Sequence, residues 1–165
     1  MKMYLEILLL IIAISVLVYL SFHFAGTLLS PTTQQNLKNK VCFGQKCFSV
    51  QLARTNAERE KGLMSVKQLG RDKGMLFIFD KEGIYPFWMK NTLIPLDIIW
   101  IDDSPAGENK VVFIAENVQP CKTLICPSIV PSVKAKYVLE INAGISKEID
   151  IKVGDYAIIN KVKAD

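Results

Sequence analysis

From Ile7 to Leu29 the chain carries no formal charge. Wound as an α-helix at ~1.5 Å per residue, that run reaches roughly 34 Å, enough to cross a hydrocarbon core of about 30 Å. The run is apolar all round, with no single stripe to bury against a soluble core. A cleaved signal peptide is the competing reading, because Lys2 supplies a positive start and Phe24-Ala25-Gly26 is a small-residue neighbourhood. The run outlasts the usual apolar stretch of a signal peptide, about 7–15 residues, which favours a retained anchor. His23, at its outer end, reads as an interfacial residue. The expected organisation is therefore an anchor over 1–29 with a single transmembrane helix at about 7–29, a polar tether over 30–39 and one globular domain over 40–165. The lipid bilayer is the expected partner of the helix. Within the tether, Ser30-Pro31-Thr32-Thr33-Gln34-Gln35-Asn36 is polar and free of apolar periodicity.

Charge near the helix does not set its direction, since Lys2 is opposed by Glu6 on one side while Lys38 and Lys40 follow on the other. The cysteines do better. Cys42 and Cys47 repeat the spacing of Cys121 and Cys126, which suits two local disulfides and hence a domain outside the cytoplasm. A tetrathiolate metal site and free thiols are the alternatives. Four intervening residues are long for a zinc pair, so no metal or cofactor is expected.

Composition excludes more than it identifies. The net charge of +4 comes from 20 basic and 16 acidic residues spread along 165 positions. Arginine occurs only at 54, 59 and 71, and no basic stripe carries interleaved aromatics, so nucleic acid is not an expected partner. The one histidine lies in the anchor. The domain therefore has no imidazole for a nucleophile pair, a metal cage or acid–base catalysis. No phosphate-cradling glycine loop is present either.

The domain reads as α+β and mainly β. Lys40–Phe43 and Cys47–Leu52 form an expected hairpin turning at Gly44, clipped by Cys42 and Cys47. Thr55-Asn56-Ala57-Glu58 is a capping box that starts one main helix continuing towards Met64. Strands are expected over 75–79, 85–90, 96–101, 111–118, 136–141 and 156–159, with a short helix near 145–149. Glycine and proline punctuate the gaps. The expected architecture is an antiparallel sheet or partly closed barrel with that one helix packed on it.

Charged residues at strand ends mark the candidate site. Arg54 continues the period-two row Phe48, Val50, Leu52, and Asp97 shares phase with Ile99 and Ile101. If these rows face the core, Asp97 needs a partner, and Arg54 and Lys90 are the candidates. Arg54, Trp88, Lys90, Asn91 and Asp97 thus form the expected surface for a small polar ligand or an envelope protein. An ion pair or backbone-bonded carboxylate that merely fixes the turn is the competing reading of Asp97. An enzyme working through carboxylates such as Asp97 and Glu140 is the alternative function, and it would need both in one cleft. A third is an assembly partner presenting Trp88 or Trp100 in an apolar patch.

Several ordered motifs carry a resemblance. They are Ala53-Arg54-Thr55-x-x-Glu58-Arg59-x-x-Gly62-Leu63-Met64, Gly74-Met75-Leu76-Phe77-x-Phe79 and Phe87-Trp88-Met89-Lys90-Asn91-Thr92-x-Ile94-Pro95-Leu96-Asp97-Ile98. Pro120-Cys121, Cys126-Pro127, Tyr137-Val138-Leu139-Glu140 and Ala143-Gly144 follow. The domain resembles the family known as domain of unknown function 192 (DUF192), also termed uncharacterised protein family 0127. The resemblance implies a compact α+β, barrel-like domain, often behind a signal peptide or anchor, and brings no established activity. Cys42 and Cys47 lie outside that pattern.

Overall fold

The computed structural model describes residues 2–24, 39–104 and 108–160. It divides into two compact units, Met1–Gln35 and Asn36–Asp165. The first contains a 23-residue helix, α1 (Lys2–Phe24). This helix begins five residues before the expected transmembrane helix, whose positions 25–29, like 30–38 of the tether, lie outside the described residues. Large apolar side chains from Leu10 to Leu20 are exposed. Among the described residues, no helix is long and apolar enough to cross a membrane.

The second unit is a barrel. Strands β1 (Lys40–Phe43) and β2 (Lys46–Ala53) form the expected hairpin, with Cys42 opposite Cys47 and a disulfide between them. Gly44 takes the positive φ, 55°, that the two-residue turn demands. Closing so short a loop contributes about 2 kcal/mol, a local reinforcement. Helix α2 (Asn56–Lys61) then follows on the Thr55 capping box, with Thr55 Oγ1 accepting from Glu58 N and Glu58 Oε2 accepting from Thr55 N. It stops at Lys61, short of Met64, because Gly62 turns away at φ 45°.

Beyond α2 come β3 (Lys73–Gly83), β4 (Phe87–Trp88), β5 (Leu96–Ile101), β6 (Asn109–Val118), β7 (Ser128–Ile129) and β8 (Ala135–Asn142). The short helix α3 (Ile145–Glu148) and β9 (Tyr156–Asn160) complete the unit. Seven strands close in the order β1-β2-β3-β8-β5-β6-β9, and β9 returns to β1. Three features of the sheet differ from expectation. The barrel is closed, and β2 pairs with β3 in parallel, because α2 and the loop after it return the chain to the end of the sheet from which β2 set out, which a tight hairpin cannot do. The strand expected over 85–90 shrinks to β4, which pairs only with β7.

Strand β5 is buried at every position, so the molecule has two apolar layers. Ile99 and Ile101 join Val41, Phe48, Leu76 and Leu139 inside the barrel. Leu96, Ile98 and Trp100 face outward with Phe77 and Val138 beneath Leu63 and Met89. Asp97 belongs to the inner row and is fully buried, at 0% exposure. Its Oδ1 accepts from the main-chain N–H groups of Asn117 (2.8 Å) and Gly144 (3.0 Å), and its Oδ2 from the N–H (2.9 Å) and hydroxyl (2.6 Å) of Ser146. One carboxylate thereby ties β6 and the start of α3 to β5. Asp97→Ala should cost roughly 4 kcal/mol, since it strands several buried donors at once. Asp97→Asn should cost less, and urea unfolding followed by tryptophan fluorescence measures both.

Candidate functional site

The residues expected at the site separate. The hydrogen bonds to Asp97 come from Asn117, Gly144 and Ser146 rather than from Arg54 or Lys90. Arg54 follows the last residue of β2. Its N–H donates to Glu58 Oε2 (2.8 Å) and its carbonyl accepts from the Arg59 guanidinium, so its backbone belongs to the start of α2. Trp88, Lys90 and Asn91 do come together. Trp88 is 41% exposed, and the Lys90 ammonium lies 5.5 Å from the centre of its ring. Trp88 and Lys90 line a cavity of about 340 Å³ on the outer apolar layer, and a groove sharing Lys61, Met64, Trp88 and Lys90 extends from it to Asn91.

The walls of this cavity follow from alternation in β3 and from two tight contacts. Phe77 and Phe79 project from one face of β3. Tyr85 stacks on Phe79 with centroids 3.5 Å apart and planes 8° from parallel. Its carbonyl accepts from the buried indole N–H of Trp100 at 2.9 Å, which fixes the segment leading into β4. Phe87 meets Phe77 edge-on at 4.8 Å and Trp100 at 5.5 Å. Helix α2 supplies the rim with Arg59, Glu60 and Lys61. Arg59 spans Phe79 at 5.0 Å and donates to the Ile78 carbonyl at 2.8 Å, pinning the helix to β3. Gly62 is required here, because a Cβ at that position would come within 3.2 Å of the Phe77 ring in a backbone conformation that side chains rarely adopt.

Glu140 also lines the cavity. It sits on β8 opposite Met75 of β3 and Ile98 of β5, so strands hold it on both sides. It is 4% exposed, and its Oε2 has no hydrogen-bond partner. Removal from water, with nothing to offset it, pushes the carboxyl up to about 8. Near neutral pH the side chain is therefore largely protonated. Since Glu140 pairs with Ile98, the two share a face, and Asp97 points to the other. The pair Asp97 and Glu140 thus cannot flank one bond, which removes the arrangement that the alternative, enzymatic reading required. Trp100 is fully buried and offers no surface patch.

Both cysteine pairs are disulfides, which leaves no thiolate for the metal alternative. Among the described residues, no group of three or more His, Cys, Asp or Glu side chains could hold a metal ion. The Cys121–Cys126 loop leads directly into β7, whose Ser128 reaches the cavity.

The model of the DUF192 family, described as "Uncharacterized ACR", matches residues 39–159. The chain belongs to the DUF192 family. The motifs of this DUF192 chain converge on the cavity, since the run Arg59–Met64, the pair Phe77 and Phe79, the stretch bearing Phe87, Trp88, Lys90 and Asn91, and Glu140 all contribute to it or to its adjoining groove. A crystal structure of a protein of unknown function from Novosphingobium aromaticivorans is similar, at 35% identity and a TM-score of 0.63 over 72% of this chain and 82% of that one. A protein from Sinorhizobium meliloti described as a candidate transcription regulator is similar at 31% identity and a TM-score of 0.63, over 73% and 91%. No curated protein matches this DUF192 chain.

Glu140 makes stability depend on pH. An unfolded glutamate ionises near 4.5 and the folded one at about 8, so the folded state holds the extra proton between these values. Stability should therefore be greatest at or below about pH 5, fall as pH rises through 8, and level off above, with a total loss of up to about 5 kcal/mol. Glu140→Gln should flatten that slope and exceed the wild type in stability above pH 8, as measured by urea unfolding across pH.

Proposed function

We propose that this chain is a membrane-tethered, non-catalytic binding protein whose domain lies outside the cytoplasm and takes a small ligand in the cavity over Glu140. The observation that carries the reading is the buried Oε2 of Glu140, left without a partner in an aromatic-walled cavity. A native fold rarely leaves such an atom unpaired, and a ligand is the partner the cavity has room for. The tether rests on the uncharged run from Ile7 to Leu29 and on the exposed apolar side chains from Leu10 to Leu20. The outward placement rests on the two disulfides, which persist in oxidising compartments.

Native mass spectrometry of the full chain, purified without refolding, should find a small-molecule adduct that Glu140→Leu loses. A bare chain in both would overturn the reading. Protease added to intact cells should cut the domain while α1 stays in the membrane pellet after alkaline extraction. Protection until lysis would place the domain on the other side.

A second reading, docking of an envelope protein, is favoured by the tip of the Cys121–Cys126 loop, where Leu124 is 98% and Ile125 is 87% exposed. A photo-crosslinking residue at position 122, in the same loop, should then capture one discrete partner that Leu124→Ser, Ile125→Ser releases.

A further inference from the structure

A carboxyl in an apolar cavity can be satisfied by a neutral donor or by a cation, and the walls here distinguish the two. Phe77, Phe79, Tyr85, Phe87 and Trp88 line the cavity into which Glu140 faces. The faces of aromatic rings are the negative poles of their quadrupoles, and an aromatic cage is the usual receptor for an ammonium group. Two of these rings already attract cations of this chain, Arg59 over Phe79 and Lys90 over Trp88. Both cations stay on the rim, and Glu140 Oε2 remains unpartnered.

The rim asks for the opposite charge. Besides Glu140, the charged and titratable side chains lining the cavity are Arg59, Glu60 and Lys61 of α2, with Tyr85 and Lys90 from the segments flanking β4. Three cations stand against one carboxylate there, so a ligand with only positive charge would be repelled on entry. Lys61 and Lys90 also line the adjoining groove, where a second, anionic group can sit.

We infer that the ligand is a zwitterion, with an ammonium group set against Glu140 inside the aromatic walls and a carboxylate or phosphate held at the Lys61–Lys90 rim. The inference rests on the ligand-binding reading above and names its chemical class. Phosphocholine, phosphoethanolamine and betaine-like amino acids share this chemistry, whether free or at the head of a lipid. Entry of the ammonium group ionises Glu140, whose O–H bond breaks and whose proton leaves to solvent. No other covalent change occurs. Binding is thereby coupled to proton release wherever the empty site is protonated.

The test is calorimetry on the full chain in nanodiscs of phosphatidylglycerol, with phosphocholine as probe. Its neutral isostere 3,3-dimethylbutyl phosphate, in which carbon replaces the ammonium nitrogen, and choline alone are the comparisons. Phosphocholine should bind at least tenfold more tightly than either. Titrations in buffers of different ionisation enthalpy should show close to one proton released at pH 7 and almost none at pH 9. Glu140→Gln, confirmed folded by its unfolding curve, should lose the proton release and at least tenfold in affinity. Lys61→Gln together with Lys90→Gln should weaken phosphocholine but not choline.

Equal binding of the isostere, or binding without proton release at pH 7, would overturn the zwitterion assignment. If no probe binds while the native adduct still depends on Glu140, the class falls and the ligand-binding reading stands. If the adduct is also missing, both fall. Repeating the titration in phosphatidylcholine nanodiscs separates the sources. A lowered apparent affinity for free phosphocholine means that bilayer headgroups occupy the cavity, and an unchanged affinity means that the site takes the free molecule.

Discussion

The architecture of the folded domain depends on β5 and β8 being buried on both faces. A strand buried on both sides cannot lie on the skin of a simple barrel, because its outward row must be covered as well. The inner row closes the barrel around Leu76, Ile99 and Leu139. The outer row, with Ile98, Trp100 and Val138, requires a second layer made of Leu63, Met89 and the β4–β7 pair. That covering layer is built from short pieces, and a cavity remains between it and the barrel. The candidate site is thus a consequence of how the outer layer is assembled.

Two buried carboxylates on neighbouring strands show how environment separates roles. Asp97 lies at the end of the inner row, where main-chain N–H groups of β6 and of the loop into α3 converge on it. Those hydrogen bonds offset the loss of water, and the result is a structural clamp. Glu140 points the other way, into aromatic side chains, and nothing compensates its Oε2. A group so placed works against the stability of the ionised domain. Its burial costs least when the carboxyl is held as the acid, and a hydrogen-bonding or charged partner would lower that cost further.

Much of this was legible in the chain, residue by residue. The capping box at Thr55 and Glu58, the Cys42–Cys47 hairpin and the limits of β5 follow from local chemistry, and local chemistry is what a sequence displays. Trp88, Lys90 and Asn91 could be grouped because they lie close together in one motif. Arg54 was misleading, because its period-two row ends with β2 at Ala53 and its backbone is drawn into the start of α2. Glu140 had a visible signal, a charge within the apolar run Tyr137-Val138-Leu139-Glu140-Ile141, but its phase only acquired meaning once the face of β8 was known.

The sequence by itself determined the uncharged N-terminal run, the family and most of the strands, because each is written in contiguous residues and in periods of two or of about 3.6. Only the tertiary structure decided that the barrel closes, that β2 and β3 run parallel and that Asp97 and Glu140 face opposite ways. It also decided that Glu140 shares one cavity with Phe77, Tyr85 and Trp88, from which it is far apart in the chain. The physical reason is that strand register and the choice of layer are set by packing between segments distant in sequence, and no local pattern encodes which of two apolar faces will be covered by what.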